Sequence, residues 1–250
     1  MRGKKSKEII IGCATDRGTV RIKNQDRIVC YAGSIAQGAI ALSCVCDGIG
    51  SYEYSEIASE IVTGGVSLWF QSIADRRLGN LTEEELTEDL CETLHELNEI
   101  VWERRKKEQF DMGCTMSALL MINHNFHIFH VGDSRIYLVG DSMSQLTRDE
   151  VVYMEDQGNI RKKLSNYMGR NKKLWLNRLS GSTVSGDTLL LGSDGLFNRV
   201  DEANTGKDIC QKAHKIFTDA QAQKFCEELI QRMEQLGERD NISCGLIRHR

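Results

Sequence analysis

No run of this chain stays apolar over the roughly 18 residues a membrane span requires, which excludes a spanning helix. The basic start, residues 1–7, leads into only three consecutive isoleucines, Ile9 to Ile11, too few for the apolar core of a signal peptide. The expected location is therefore cytoplasmic. Positive charge is not in excess: the formal net charge is −4, which argues against non-specific nucleic-acid binding. Cysteine is too sparse, at nine in 250 residues, for a disulfide scaffold, and no Cys-x-x-Cys or Cys/His set completes a zinc site. Cys30, Cys44, Cys91, Cys226 and Cys244 fall inside apolar strands or helices, positions that suit reduced thiols acting as small hydrophobes. Proline is absent altogether, and no functional reading attaches to that. No low-complexity linker or internal repeat interrupts the chain, so residues 1–250 are expected to form one domain.

What is present begins with strand-like runs at Ile9 to Cys13, Arg27 to Ala32 and Ala39 to Cys46, separated by glycine-containing turns. Ile57, Ile61, Val62, Leu68 and Trp69 then recur at helical spacing, with Gly64–Gly65 read as an interruption. A stronger helix follows. Thr82 can cap it with Glu85 as a capping box, and Leu86, Leu90, Leu94, Leu97 and Val101 line one face. Strands return at Cys114 to Ile122, Phe126 to Val131 and Ile136 to Val139, and later at Thr188 to Gly192. Helices are expected near Thr205 to Phe217 and Asp219 to Leu236, with Gly237 as terminator, before a last strand from Ile242 to Arg248. The polar segment 147–173 carries no periodicity that assigns it. Strands in hairpin order with paired helices inserted predict an α+β fold of antiparallel sheets covered by helices.

Four separated aspartates stand at the ends of apolar runs. Asp47 follows Ala39–Cys46 and Asp133 follows the run ending at Val131. Asp194 follows the run ending at Gly192, and Asp240 precedes the closing strand. Ionised carboxylates are costly there unless cations lie among them. Hard oxygen ligands point to Mg²⁺ or Mn²⁺ rather than zinc or copper. Next to Asp47, Gly48 lets its backbone carbonyl approach an ion. Two such ions about 3.5–4 Å apart activate a water and clamp a displacement at phosphorus. A phosphate-directed site also wants a guanidinium, and Arg21 is the candidate. It lies five residues before Asp26, an odd offset that on a straight strand would separate the two, so a bend near Asn24 is required.

These residues carry a family resemblance. The stretches Arg21-x-x-Asn24-Gln25-Asp26, Asp47-Gly48-Ile49-Gly50, Gly113-Cys114-Thr115, Val131-Gly132-Asp133-Ser134-Arg135, Leu146-Thr147-Arg148-Asp149, Leu190-Leu191-Gly192-Ser193-Asp194-Gly195-Leu196 and Asp240-Asn241-Ile242-Ser243 resemble, in order, the metal-dependent protein phosphatases of the protein phosphatase 2C type, in particular compact bacterial members. The resemblance implies a β-sandwich of two antiparallel sheets flanked by helices, a four-layer α-β-β-α arrangement. It implies direct hydrolysis of phosphoserine and phosphothreonine by a metal-bridging water, with two or three Mn²⁺ or Mg²⁺ ions. By that resemblance Asp47 and Gly48, with Asp194 and Asp240, are the metal ligands, and Asp133 matches the ligand of a third, weaker ion. Asp26 orients or deprotonates the attacking water and Arg21 binds the substrate phosphate. No signature of a cysteine nucleophile competes with this.

The implied partners are phosphorylated proteins, opposing a serine/threonine kinase, with no nucleic acid and no membrane, and the chain is expected to be a monomer. Two other readings stay open on sequence: a noncatalytic phosphoprotein-binding module of the same fold, and a phosphatase for a small-molecule phosphate ester. Asp133-Ser134 is also ordinary turn chemistry. The chain departs from its bacterial relatives at Ser51 and Tyr52, where Gly and His are usual, and at Glu150, where His is usual. Segment 147–173 is read as a shortened flap. Six basic residues and no acidic ones lie in Arg161–Lys173, a solvated loop or a device that steers acidic substrates.

Overall fold

Along β3 (Gly38–Cys46) successive side chains part to opposite faces, and that alternation builds the layers. Ile40, Leu42, Cys44 and Cys46 point outward under two helices, while Ala41 and Val45 point inward to a second sheet. The computed structural model describes residues 8–75, 81–156 and 159–250, so the basic start at 1–7 lies outside the described residues. The other elements are β1 (Ile9–Asp16), β2 (Arg27–Ile35), α1 (Ser55–Asp75), α2 (Glu83–Glu108), β4 (Met116–Ile122), β5 (Asn125–Val131), β6 (Arg135–Val139), β7 (Met143–Gln145), β8 (Val151–Asp156), β9 (Asn159–Leu164), β10 (Asn177–Ser182), β11 (Thr188–Gly192), α3 (Asp194–Phe197), α4 (Lys207–Ala213), α5 (Asp219–Gln235) and β12 (Ile242–His249).

Two five-stranded sheets, ordered β1-β12-β11-β6-β7 and β10-β5-β4-β3-β2, stack face to face, and all their pairings are antiparallel. Their shared interior holds Leu119, Met121, Ile128, Ile136, Leu189, Leu191 and Ile247. Helices α1 and α2 cover one outer face and α4 and α5 the other. The expected α+β sandwich flanked by helices is the fold observed.

Helix α2 begins as the sequence predicts. Thr82 accepts from the Glu85 amide and the Glu85 carboxylate accepts from the Thr82 amide, a reciprocal cap of the kind that contributes about 1 kcal/mol. Leu86, Leu90, Leu94, Leu97 and Val101 are all buried. Helix α1 differs from expectation: it runs unbroken through Gly64 and Gly65. A Cβ at Gly65 would lie 2.2 Å from the Leu97 side chain, so glycine there admits the neighbouring helix rather than ending its own. The helix expected over 205–217 is shorter, a π-turn at Glu202–Gly206 leading into α4. Segment 147–173 contains the hairpin β8–β9, whose strands pair only with each other. Strand β10, with the polar sequence NRLSGS, is an edge strand on β5, and its exposure explains why no apolar alternation marks it.

Candidate metal centre

Strand ends from both sheets open on one cleft of about 620 Å³. Asp47 follows β3 and Asp133 follows β5 in one sheet; Asp194 follows β11 and Asp240 precedes β12 in the other. These four, with Gly48 and Arg21, line the cleft together with Thr115, Tyr52, Tyr167, Lys162 and Lys163. The structure thus brings together every predicted site residue except Asp26, which is buried behind the cleft at 1% exposure.

The local backbone is fixed by hydrogen bonds. Asp47 and Thr115 exchange bonds, Thr115 N to the Asp47 carbonyl at 2.8 Å and Asp47 N to Thr115 Oγ1 at 3.1 Å. The loop between β1 and β2 is held by Asn241: its Oδ1 accepts from Gln25 N at 2.9 Å, and its Nδ2 donates to the carbonyls of Arg17 at 2.8 Å and Lys23 at 3.0 Å. The bend required between Arg21 and Asp26 is present, with Asn24 Oδ1 accepting the Asp26 amide at 3.1 Å in an Asx-type turn. Arg21 accordingly turns into the cleft, where its Nη2 donates to Asp240 Oδ2 at 2.6 Å.

The electrostatics are those of crowded carboxylates. Burial, then the charges of Asp26, Asp194, Asp133 and Asp240, raises Asp47 well above the ordinary carboxylate range. Burial, then Asp133 and Asp240, pushes Asp194 up to about 6. Asp26 is pushed up to about 7, chiefly by burial, although Ser193 and Ser243 stabilise its ionised form; Ser243 Oγ donates to it at 2.8 Å. Two cations already answer part of this charge: Arg21 on Asp240, and Lys162 from β9 on Asp133 at 2.5 Å. Among the described residues no three His, Cys, Asp or Glu side chains close on one point in this arrangement. The donor set nevertheless fits hard divalent ions, being all oxygen, acidic and mutually repelled, with relief available from added positive charge.

Sequence reasoning missed several parts of this site. Tyr52 and Tyr167 form one wall, hydroxyl to hydroxyl at 3.0 Å, with the Arg105 guanidinium 5.6 Å from the Tyr52 ring centre. Burial, then Tyr167, pushes the Tyr52 phenol up to about 12. Glu150 accepts from Gly132 N at 2.9 Å and from the side-chain amides of Asn166 at 3.0 Å and Asn177 at 2.8 Å. Tyr52 and Glu150 are two of the three residues at which the chain departs from the bacterial pattern, and that was the signal available for them.

The sequence model of the family described as protein phosphatase 2C matches residues 17–237. The chain belongs to the protein phosphatase 2C family. Within that family it is 29% identical to a serine/threonine phosphatase stp of Listeria innocua, over 93% of each chain. It is 27% identical to the protein phosphatase PhpP of Streptococcus pneumoniae, over 95% of this chain and 96% of that one. The fold matches the serine/threonine phosphatase of S. agalactiae with a TM-score of 0.76 at 22% identity, covering 97% of this chain and all of that one. It also matches the catalytic domain of PstP solved with two manganese ions, with a TM-score of 0.73 at 22% identity, covering 96% and 97%. As a 2C-family sandwich, the chain has its cleft between the two sheets, at the end where β3, β5 and β11 finish and β12 begins.

Proposed function

We propose that this chain is a metal-dependent serine/threonine protein phosphatase that hydrolyses phosphoserine and phosphothreonine in proteins. What carries the reading is the convergence of Asp47, Asp133, Asp194 and Asp240 with the guanidinium of Arg21 on one cleft. Family membership and the names of the similar proteins support the reaction class.

Asp47, the Gly48 carbonyl, Asp194 and Asp240 would hold divalent ions, Mn²⁺ or Mg²⁺. Such ions supply an activated water and offset negative charge gathering on phosphorus-bound oxygens. The protein's own groups do the rest. Arg21 lines the cleft with one guanidinium nitrogen on Asp240, and an ion taking that carboxylate would release the guanidinium to the nonbridging phosphate oxygens. Asp26, held by Ser243, stands behind the cleft, where it can orient the attacking water or take its proton. The Tyr52–Tyr167 pair lines the cleft that the substrate side chain would enter.

The test is turnover of a phosphothreonine peptide with added Mn²⁺, lost in chelator and restored by the metal. Asp194→Ala is expected to lose most activity while keeping its circular dichroism and unfolding transition. A purified Asp194→Ala protein with full turnover would remove the ligand assignment.

A further inference from the structure

The hairpin β8–β9 is anchored at both roots to the backbone that presents the acidic cleft. At its start, Glu150 N donates to the Gly132 carbonyl at 2.8 Å, and Gly132 N donates back to Glu150 Oε2 at 2.9 Å. Gly132 is the residue before Asp133. Arg135, two residues after Asp133, grips Asp149 through both of its carboxylate oxygens, at 2.9 Å and 2.7 Å. At its end, Ser165 N donates to the Glu150 carbonyl at 2.8 Å and Met168 N to the Cys114 carbonyl at 2.9 Å, next to the bridge between Cys114 and Gly48. The roots are therefore rigid with respect to Asp47 and Asp133.

Three residues before the second root, Lys162 crosses into the cleft. It pairs with Tyr153 in the hairpin register, and its ammonium meets Asp133 Oδ2 at 2.5 Å. The lysine side chain is 35% exposed and the aspartate 9%, so this is a half-desolvated pair rather than a solvated surface contact. The lysine's hairpin neighbours Tyr153 and Ile160 are 69% and 76% exposed, and the hairpin has no other described strand to hold it down. Asp133 is thus the acidic residue on which Lys162 rests.

We propose that Lys162 is a tethered cation competing with a divalent ion for Asp133, so that the hairpin lies over the cleft when Lys162 holds this carboxylate and lifts when a metal ion takes it. This rests on the metal-centre reading above. One carboxylate of this size cannot make a close ion pair with an ammonium and also serve an ion at full strength, because each cation raises the cost of the other. The hairpin's position thereby becomes a function of metal concentration, and substrate access follows it.

The test is Mn²⁺ binding by calorimetry or electron paramagnetic resonance on the full chain, with hydrogen exchange over Val151–Asp156 and Asn159–Leu164. In the wild type, exchange of the hairpin is expected to rise only as the weakest Mn²⁺ site fills. In Lys162→Met that site tightens by about tenfold, the equivalent of a partly buried ion pair, and the hairpin exchanges fast without metal. Lys162→Arg keeps the charge and is expected to behave as the wild type. Equal weakest-site affinity and equal exchange in Lys162→Met and the wild type would overturn the proposal. Asp47→Asn separates the two ideas: if it binds Mn²⁺ as the wild type does, the metal-centre reading itself fails.

Discussion

The side chain of Asn241 accepts the backbone amide of Gln25 at 2.9 Å, and in doing so it ties the strand β12 to the loop that carries Arg21. Its amide nitrogen closes the other side of that loop on Arg17 and Lys23. Asn241 is 5% exposed, so water cannot replace these bonds if they are cut. Asn241→Ala is expected to lose about 2–4 kcal/mol of stability, the usual consequence of leaving several buried partners unpaired. Urea unfolding measures the loss. A variant as stable as the wild type would mean the loop holds itself.

Gly50 gives a prediction of the opposite kind, with function changed and fold kept. It is exposed, and a Cβ there would come within 2.9 Å of the Arg21 guanidinium. The neighbour it meets is the tip of a flexible side chain, which moves aside cheaply. Gly50→Ala should change stability by no more than about 0.5 kcal/mol. Displacing the phosphate-facing guanidinium should lower kcat/KM by about 10- to 100-fold. Steady-state kinetics beside a melting curve separates the two, and unchanged kinetics would place the substrate phosphate elsewhere.

Asp47 is set among four other carboxylates, and burial together with their charges disfavours its ionised form. Asp47→Asn removes that repulsion. The metal-free variant is expected to melt about 2–4 °C higher than the metal-free wild type, the shift produced by roughly 1 kcal/mol in a chain of this size. The same variant should no longer gain stability from Mn²⁺. A lower melting temperature without metal would show that Asp47 makes favourable contacts that outweigh the crowding.

His130 supplies the pH dependence. It is 2% exposed on β5, with Nδ1 at 2.8 Å from Ser117 Oγ and Nε2 at 3.1 Å from the Arg148 carbonyl, so the neutral ring donates through Nε2 and accepts at Nδ1. Burial holds its pKa below the ordinary value. The unfolded chain therefore binds a proton more readily than the folded one. The contribution is complete above about pH 6.5 and shrinks as pH falls below it. His130→Gln should flatten the fall of melting temperature between neutral and mildly acid pH, measured with saturating Mn²⁺ so that the cleft carboxylates stay ionised. An identical slope in both proteins would assign the acid sensitivity to other groups.

The sandwich was legible in the sequence because β3, β4, β11 and β12 are long apolar runs and α2 carries both its cap and its stripe. The acidic motifs at the strand ends were legible through their order along the chain, since any one Asp after a strand is ordinary turn chemistry. Strand β10 and the hairpin β8–β9 were not legible. Their residues are largely exposed, so no burial imposes a period of two on them. The direction of Lys162 was hidden by its neighbours: among the six basic residues of Arg161–Lys173, nothing in one dimension says which of them turns inward. Gly65 misled for a related reason, because a glycine that admits a leucine from another helix reads like one that ends its own.

Of the four cleft aspartates, Asp47 and Asp133 hang from one sheet while Asp194 and Asp240 hang from the other. Anything gripped by both pairs becomes a rivet through the two halves of the sandwich. Slippage of one sheet over the other by even a fraction of a residue would spoil the grip, and the grip in turn resists slippage. Rigidity of the scaffold and occupancy of the cleft are in this sense a single mechanical property, felt at the far ends of strands that never approach the substrate.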